Sequence, residues 1–518
     1  MMTLSPLRRT LIASAAALGL LTAGPAFAQQ GQTSPIQASQ IQGTQIRVPT
    51  PLVAKGAGDA PVTTEGQAFQ NLGLVGVARV PADVLDFMGD TLGSMSGMAI
   101  APGTWRKEGD TYRATLYSLP DRGRNSPDEG EYVDYANRLM SFDLAFVPGQ
   151  AFTLTPTGGI ALKDFEGRPT TGADPADGTR MEAGHTFPSP KPGALGAGKV
   201  SLDAEAIAMR ADGSFYVSDE YGPGIYLFGP GGRMKGAIDP GPALAPMTGG
   251  ALNFNSTKAP DTGRRNNQGL EALAVTPDGR KLVAVLQSAT IQDSSASKDQ
   301  TNRANTRILV YDIAADPTPK APVAVYALTL PVYASRGDGK IDRTAAQSEM
   351  VALDDHRFLI LARDGNGLGS KPGPEVFKAV LLVDVSGATN LAGTDYETTT
   401  RPIAPAQDGR NVLDPSIRPA TADVLVNLLN PDDLGKFGLN IHNETPDENT
   451  LSEKWEAMAL VPALDPQAPD TFFLFVGNDN DFLTRHGVMQ GKPYADKIDN
   501  ATTVLAYRLR LPGVKLAP

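Results

Sequence analysis

A short pattern of apolar and polar positions recurs along the chain. An apolar strand opens on a carboxylate, a turn follows, and a second apolar run closes on further carboxylates. The clearest copy is residues 201–224, SLDAEAIAMRADGSFYVSDEYGPG. Along Glu205-Ala-Ile-Ala-Met209 successive side chains alternate across a strand, Ala211-Asp-Gly213 supplies a tight turn, and Phe215-Tyr-Val-Ser218 returns as the antiparallel neighbour. Such a pair sets the start of its first strand beside the end of its second, so Glu205 is expected to share one edge with Asp219 and Glu220.

Three further copies keep the order of events. Gly269-Leu-Glu271-Ala-Leu-Ala-Val275 passes through Pro277-Asp-Gly279 into a run from Lys281. Ser348-Glu349-Met-Val-Ala-Leu353 leads to a run ending in Arg363-Asp364-Gly-Asn366, and Lys454-Trp-Glu456-Ala-Met-Ala-Leu460 leads to one ending in Asp479-Asn-Asp481. A weaker copy, Ser96-Gly-Met-Ala-Ile100, is followed by Leu119-Pro-Asp121-Arg-Gly123 and carries glycine where the others carry glutamate. The steps from Glu205 to Glu271, Glu349 and Glu456 lengthen along the chain, beyond the ~40–50 residues of common propeller repeats. The excess reads as loop.

Recurrent short strands, Gly/Pro turns and no long amphipathic pattern predict an all-β fold: a β-propeller of about six blades, within a range of five to seven, carrying long Gly/Pro-rich insertions. A strand over 69–80 is placed to close the ring against one over 502–509. Residues 388–453 are either an insertion or a blade whose signature has faded, with a short helix expected near 421–429. The propeller domain is assigned to 69–512, after a leader (1–28) and a flexible lead-in (29–68) rich in Gln, Thr, Pro and Gly, and before a tail (513–518).

The leader joins Arg8-Arg9 to an apolar run from Leu11 to Leu21 and to Ala26-Phe-Ala28, a small-residue cleavage pattern. General secretory and twin-arginine routes both fit. Either predicts a periplasmic or secreted protein without a stable membrane anchor once the leader is removed. With no cysteine in the chain, disulfides, thiol catalysis and thiolate metal sites are excluded. A formal net charge of −11 disfavours nucleic acid and attracts divalent cations. The expected partner is a small anionic ester substrate, and the expected state is a monomer.

If the copies surround one axis, Glu205, Glu271, Glu349 and Glu456 ring one mouth of the channel, with Asp121, Asp219, Glu220, Asp364, Asp479 and Asp481 near the same rim. So many carboxylates cannot stay ionised at close quarters without counter-charge. One reading is a metal centre drawn from Glu205, Asp219, Glu220, Glu271, Glu349, Asp364, Glu456, Asp479 and Asp481, for which oxygen ligands favour Ca²⁺, with Mg²⁺ as the alternative. The other is architectural: each glutamate pins a neighbouring blade through backbone N–H groups or through Arg122 and Arg363. The four histidines, His185, His356, His442 and His486, show no metal-binding spacing, and no G-x-S-x-G elbow, P-loop or H-E-x-x-H is present.

The repeated units resemble the phytase-like domain family, described by esterase-like activity of phytase. The resemblance rests on Ser96-Gly-Met98, Asp121-Arg-Gly123, Asp203-Ala-Glu-Ala-Ile-Ala208, Ser218-Asp-Glu-Tyr-Gly-Pro223, Asn267-Gln-Gly-Leu-Glu-Ala272, Ser348-Glu349, Arg363-Asp364 and Trp455-Glu456. It implies an exported β-propeller hydrolase of phosphoester or carboxylester substrates. The mechanism expected on these residues is metal-dependent, with Glu220 as base and Arg122, Arg363 and Arg485 orienting the anion. A non-enzymatic ligand- or partner-binding propeller and a calcium-dependent, lactonase-like hydrolase are the alternatives.

The leader makes a direct prediction. N-terminal sequencing of the exported protein should begin at or near Gln29. A soluble cytoplasmic product that keeps residues 1–28 would contradict it.

Overall fold

The computed structural model describes residues 60–93, 95–125, 133–370, 373–441 and 446–516, together with the backbone of Ser34–Pro35. The leader, its cleavage pattern and His442 lie outside the described residues.

Strand pairing builds five large antiparallel sheets. Their innermost strands are Gly97–Ile100, Ala204–Met209, Leu270–Val275, Ala346–Ala352 and Lys454–Pro462. Each touches the next in order and the fifth touches the first, so the sheets close into a ring. The fold is a five-bladed β-propeller, at the lower end of the expected range. The fifth blade runs outward from Lys454–Pro462 through Thr471–Asp479 and Thr502–Arg510 to Gln67–Val80. The strand from the start of the domain therefore bonds the one from its end, Val77 opposite Leu505, as the sequence predicts. Ladder hydrogen bonds, rather than a covalent staple, close the ring.

Residues 388–453 are not a sixth blade. The fourth blade is completed by Thr421–Asn427, which pairs with Lys378–Asp384, and the chain between these two strands is an insertion that packs Tyr396, Ile403 and Ile417 against Val325 and Ala327 of the third blade. The helix expected near 421–429 is therefore corrected to a strand. β-branched Thr421, Val424 and Val426 suit a pleated edge, and Val426 is fully buried against the fifth blade's cluster. The short helix Pro431–Gly435 follows, with the Asn430 side chain accepting from the Asp432 N–H at its N-terminus.

The alternating apolar pattern has a physical use on the inner strands. In the second blade Ile207 and Met209 pack toward Ala99 and Leu119 of the first, while Ala206 and Ala208 pack toward Leu270 and Leu273 of the third. One large and one small face per strand let successive blades stack closely around the axis.

The alternation is interrupted where the carboxylates stand. Ala204 pairs with Asp219 and Ile207 with Val217, so Glu205 and Ala206 together oppose Ser218. Likewise Glu271 is the extra residue between the pairs Leu270–Leu286 and Ala272–Val285, and Glu456 is the extra residue between Trp455–Asn478 and Ala457–Gly477. A β-bulge of this kind breaks the ladder locally and re-aims a side chain. In the fourth blade the extra residue is Ser348, and Glu349 sits one place further on, opposite Leu361. The first blade has no such shift in its inner pair. A Cβ on its Gly97 would lie 2.7 Å from the Glu205 carbonyl oxygen and 3.0 Å from the Ile207 nitrogen, so the bulged backbone of the second blade occupies the space a side chain would need.

Gly97→Ala should therefore be destabilising out of proportion to one methyl, by about 1–3 kcal/mol, because the clash is with backbone. The urea unfolding midpoint reports it. A midpoint equal to that of the unaltered protein would show that the blades can part at no cost.

Candidate active site

Antiparallel pairing places the start of each inner strand beside the end of the next strand outward. Ala204 faces Asp219 and Lys454 faces Asp479, so carboxylates from both strands of a blade reach one mouth of the channel. The residues flanking these pairs, Asp203, Glu205 and Glu220, bring one carboxylate oxygen each to within 4.8 Å of the others. All three are buried. Arg122 Nη1 donates to Asp203 Oδ2 at 2.8 Å and to Asn267 Oδ1 at 2.6 Å. Among the described residues, no N–H or O–H group donates to the buried Asp203 Oδ1 or Glu220 Oε1. Buried orphan oxygens are rare in native proteins and mark a place where something else belongs.

The cluster continues across the axis. Burial, and then the charges of Glu271, Asp203, Glu220 and Glu456, push the Glu205 carboxyl well above its ordinary range. Burial followed by Glu220 and Glu456 does the same to Glu271. Asp203 is driven up to about 8, mainly by burial and against the opposing pull of Arg122. Arg363 pairs with Glu456 through Nη2 and donates from Nη1 to the Asp364 carbonyl at 3.2 Å. Carboxylates from the second, third and fifth blades thus share one desolvated space bordered by two guanidinium groups.

Beside it lies a second knot. Lys454 Nζ donates to Asp479 Oδ2 at 3.2 Å and to Asp481 Oδ1 at 2.5 Å. Burial opposes it, but Lys454 holds Asp481 below its ordinary pKa, whereas Asp479 is pushed up, mainly by burial. Asp121 accepts the Gly123 N–H at 3.0 Å and is raised to about 7 by burial and by Asp203, which ties the first blade to this knot.

Three expected metal ligands are bonded elsewhere, Asp219 and Asp364 through both oxygens and Glu349 through one. Asp219 accepts from the N–H groups of Asp203, Tyr221 and Gly222 and from the Tyr226 hydroxyl. Asp364 pairs with the fully buried Lys378 and accepts the Val376 and Phe377 N–H groups at 2.6 and 2.9 Å. Glu349, displaced by the Ser348 bulge, turns between blades, where Oε1 accepts from Met350 N–H at 2.8 Å and from Leu273 N–H at 3.4 Å, while Oε2 is buried without a partner among the described residues. These three fit the architectural reading of the sequence. Arg485 lies outside the mouth, more than half exposed and paired with Asp499. His185 pairs with Asp239, and His356 bonds Asp355 and Glu65, so neither serves the mouth.

Sequence reasoning left three contributors unassigned. Asp203 sits two residues before Glu205 and is therefore on the same edge, a signal that was readable. Lys454 stands two residues before Glu456 by the same logic. Asn267, held at a φ of 48° and bonded to Arg122, opens the run Asn267-Gln-Gly-Leu-Glu-Ala272, but nothing in its spacing marks it as the partner of Arg122. Next to this pair a cavity of about 140 Å³ opens, with Arg122, Asn267 and Asp174 on its wall beside apolar surface from Val133, Ala173 and Tyr221.

Comparison with known proteins bears on this arrangement. A protein of Arthroderma benhamiae named "Uncharacterized secreted protein" is 34% identical over 464 residues, spanning 81% of this chain and 88% of that one. Among solved structures, the Malassezia sympodialis allergen Mala s 1 is 11% identical, with 88% of this chain and 94% of that chain covered and a TM-score of 0.30. Pseudomonas fluorescens PhoX in complex with vanadate is 10% identical, with 95% and 98% covered and a TM-score of 0.31. Likenesses of that strength add nothing to the strand pairing from which the propeller is read. The family model described as "Esterase-like activity of phytase" matches residues 91–482, a span that takes in the inner strands of all five blades and the acidic mouth, and the chain belongs to this phytase-like family.

Proposed function

We propose that this protein is an exported, cation-dependent hydrolase of small anionic esters, phosphate or carboxylate, with the acidic mouth as its active site. One observation carries the reading: Asp203, Glu205 and Glu220 converge while buried, and two of their oxygens receive no hydrogen bond from a donor among the described residues. A donor set made of carboxylates, without thiolate or imidazole, fits a hard cation such as Ca²⁺ or Mg²⁺. Asp203, Glu205 and Glu220 would hold it, with Glu271 and Glu456 adjacent. When bound, such an ion neutralises charge on an ester oxygen and lowers the pKa of water.

The chain's own groups divide the remaining work. Arg122 is fixed by Asp203 and Asn267 on the wall of the cavity, and its Nε donates to no group among the described residues, so it is set to bind and orient one anionic group of the substrate. Arg363, whose Nε is likewise unpartnered, borders the opposite side through Glu456. The Glu220 charge acts directly on the buried Glu271 carboxyl, and this pair takes the proton of the attacking water. Export is supported by the leader and by the secreted relative, and among the described residues no helix is long and apolar enough to cross a membrane.

Glu220→Gln and Glu271→Gln keep side-chain size but remove a charged oxygen. Each should weaken calcium binding, read by calorimetry, by at least the ~10–100-fold that follows loss of an outer-shell partner. Each should also lower turnover of nitrophenyl phosphate or nitrophenyl acetate by a similar factor or more. Calcium affinity equal to wild type in Glu220→Gln would refute the ligand assignment.

Asp364→Asn, by contrast, should lower the melting temperature because Lys378 is left buried without its partner, yet leave calcium affinity of the folded protein within about twofold of wild type. Metal-free protein with full activity would overturn the cation dependence. Absence of hydrolysis across a broad ester panel would overturn the hydrolase reading.

A further inference from the structure

The inner strands have a second end. Their bulged glutamates stand near their first residues, whereas their last residues line a separate cavity of about 690 Å³. Each strand brings a half-buried apolar side chain to it: Ile100, Met209, Val275, Val351 and Leu460. Further back along the same strands Met98, Ile207, Leu273, Met350 and Met458 also line it and are almost fully buried. The wall is therefore apolar on all five sides, the reverse of the acidic mouth.

An open cup walled largely by apolar side chains gains free energy when an apolar guest covers them. The volume lies within the ~300–1,000 Å³ usual for small-molecule sites. Methionine appears on four of the five strands, and its unbranched thioether adapts to guests of varied shape. Trp105 adds an indole whose Nε1 is already bonded to the Pro462 carbonyl at 2.8 Å, so it offers the cavity only apolar surface.

The polar groups at the rim are few and unequal. Asp212 accepts from the Ser214 N–H and hydroxyl, and the Thr276 hydroxyl donates to Asp278 at 2.6 Å. Arg210 takes part in no ion pair among the described residues, and its guanidinium carbon lies 6.0 Å from the centre of the Tyr216 ring. One unpaired cation over an apolar cup is complementary to an amphiphile.

We propose that this cavity is a second ligand site, for a molecule with an apolar body and an anionic head such as a medium-chain carboxylate. The body lies against the five strand ends and the head is bound by Arg210. The site does not depend on the hydrolase reading, because none of its residues belongs to the acidic mouth.

The test uses the full-length exported protein and the neutral fluorescent dye N-phenyl-naphthylamine, displaced by decanoate or by decanol. The dye should be taken up, and decanoate should displace it about tenfold better than decanol, as one charge-assisted hydrogen bond allows. Arg210→Gln should abolish that preference while keeping dye uptake. Val275→Trp and Leu460→Trp fill the cavity from half-exposed positions and should each reduce uptake about tenfold or more, at unchanged circular dichroism. Glu220→Gln should bind dye and decanoate as wild type does. No uptake, or uptake indifferent to both tryptophan variants, would overturn the site. Equal displacement by acid and alcohol, or a preference that survives Arg210→Gln, would overturn the anionic head.

Discussion

Carboxylates repel one another, and they do so most strongly where water is scarce. The acidic mouth holds Asp203, Glu205, Glu220, Glu271 and Glu456 in such a place, so the backbone that carries them must resist being pushed apart. That resistance comes from ring closure. The Gln67–Val80 strand is hydrogen-bonded to Thr502–Arg510 in the fifth blade, and the alanine faces of the inner strands let neighbouring blades stack without gaps. On the proposed reading, a cation would reverse the sign of the problem, turning mutual repulsion into shared coordination, and the crowding that strains an ion-free mouth would become affinity.

The bulge converts this architecture into a site. A regular strand would send Glu205, Glu271 and Glu456 into the space between blades along with the other side chains of the same face. One extra residue in the inner strand breaks that registry and leaves the carboxylate beside its counterparts. The fourth blade shows the alternative. There Ser348 is the extra residue, and Glu349 turns back between blades to accept the Leu273 N–H. The fourth blade therefore contributes a cross-blade bond and Arg363, where the others contribute carboxylates.

Much of this was legible in the repeat itself. The unit Glu-Ala-x-Ala followed by a turn and a run ending in acid residues predicted the strand pairs, their shared edge and the closing strand, because each follows from alternation and antiparallel geometry. What the repeat concealed has physical causes. A bulge adds a residue without changing composition, so Ser348-Glu349 reads like Leu270-Glu271 although the two glutamates have different surroundings. Asp219 and Asp364 look like Glu220 in sequence, and only the turns that follow decide otherwise, by aiming the amides of Gly222, Val376 and Phe377 at their oxygens. The outer strand Thr421–Asn427 was hidden by the insertion that separates it from its partner. The apolar mouth escaped notice because alternation alone does not say which strand ends are covered.

The central claim is that the converging carboxylates are a cation site and not only a brace between blades. A crystal structure grown with calcium, with anomalous differences collected to locate the ion, tests it most directly. The account predicts an anomalous peak coordinated by Asp203, Glu205 and Glu220. A well-ordered mouth with no peak among those three residues, or with a peak only at surface carboxylates such as Asp354 and Asp355, would contradict it.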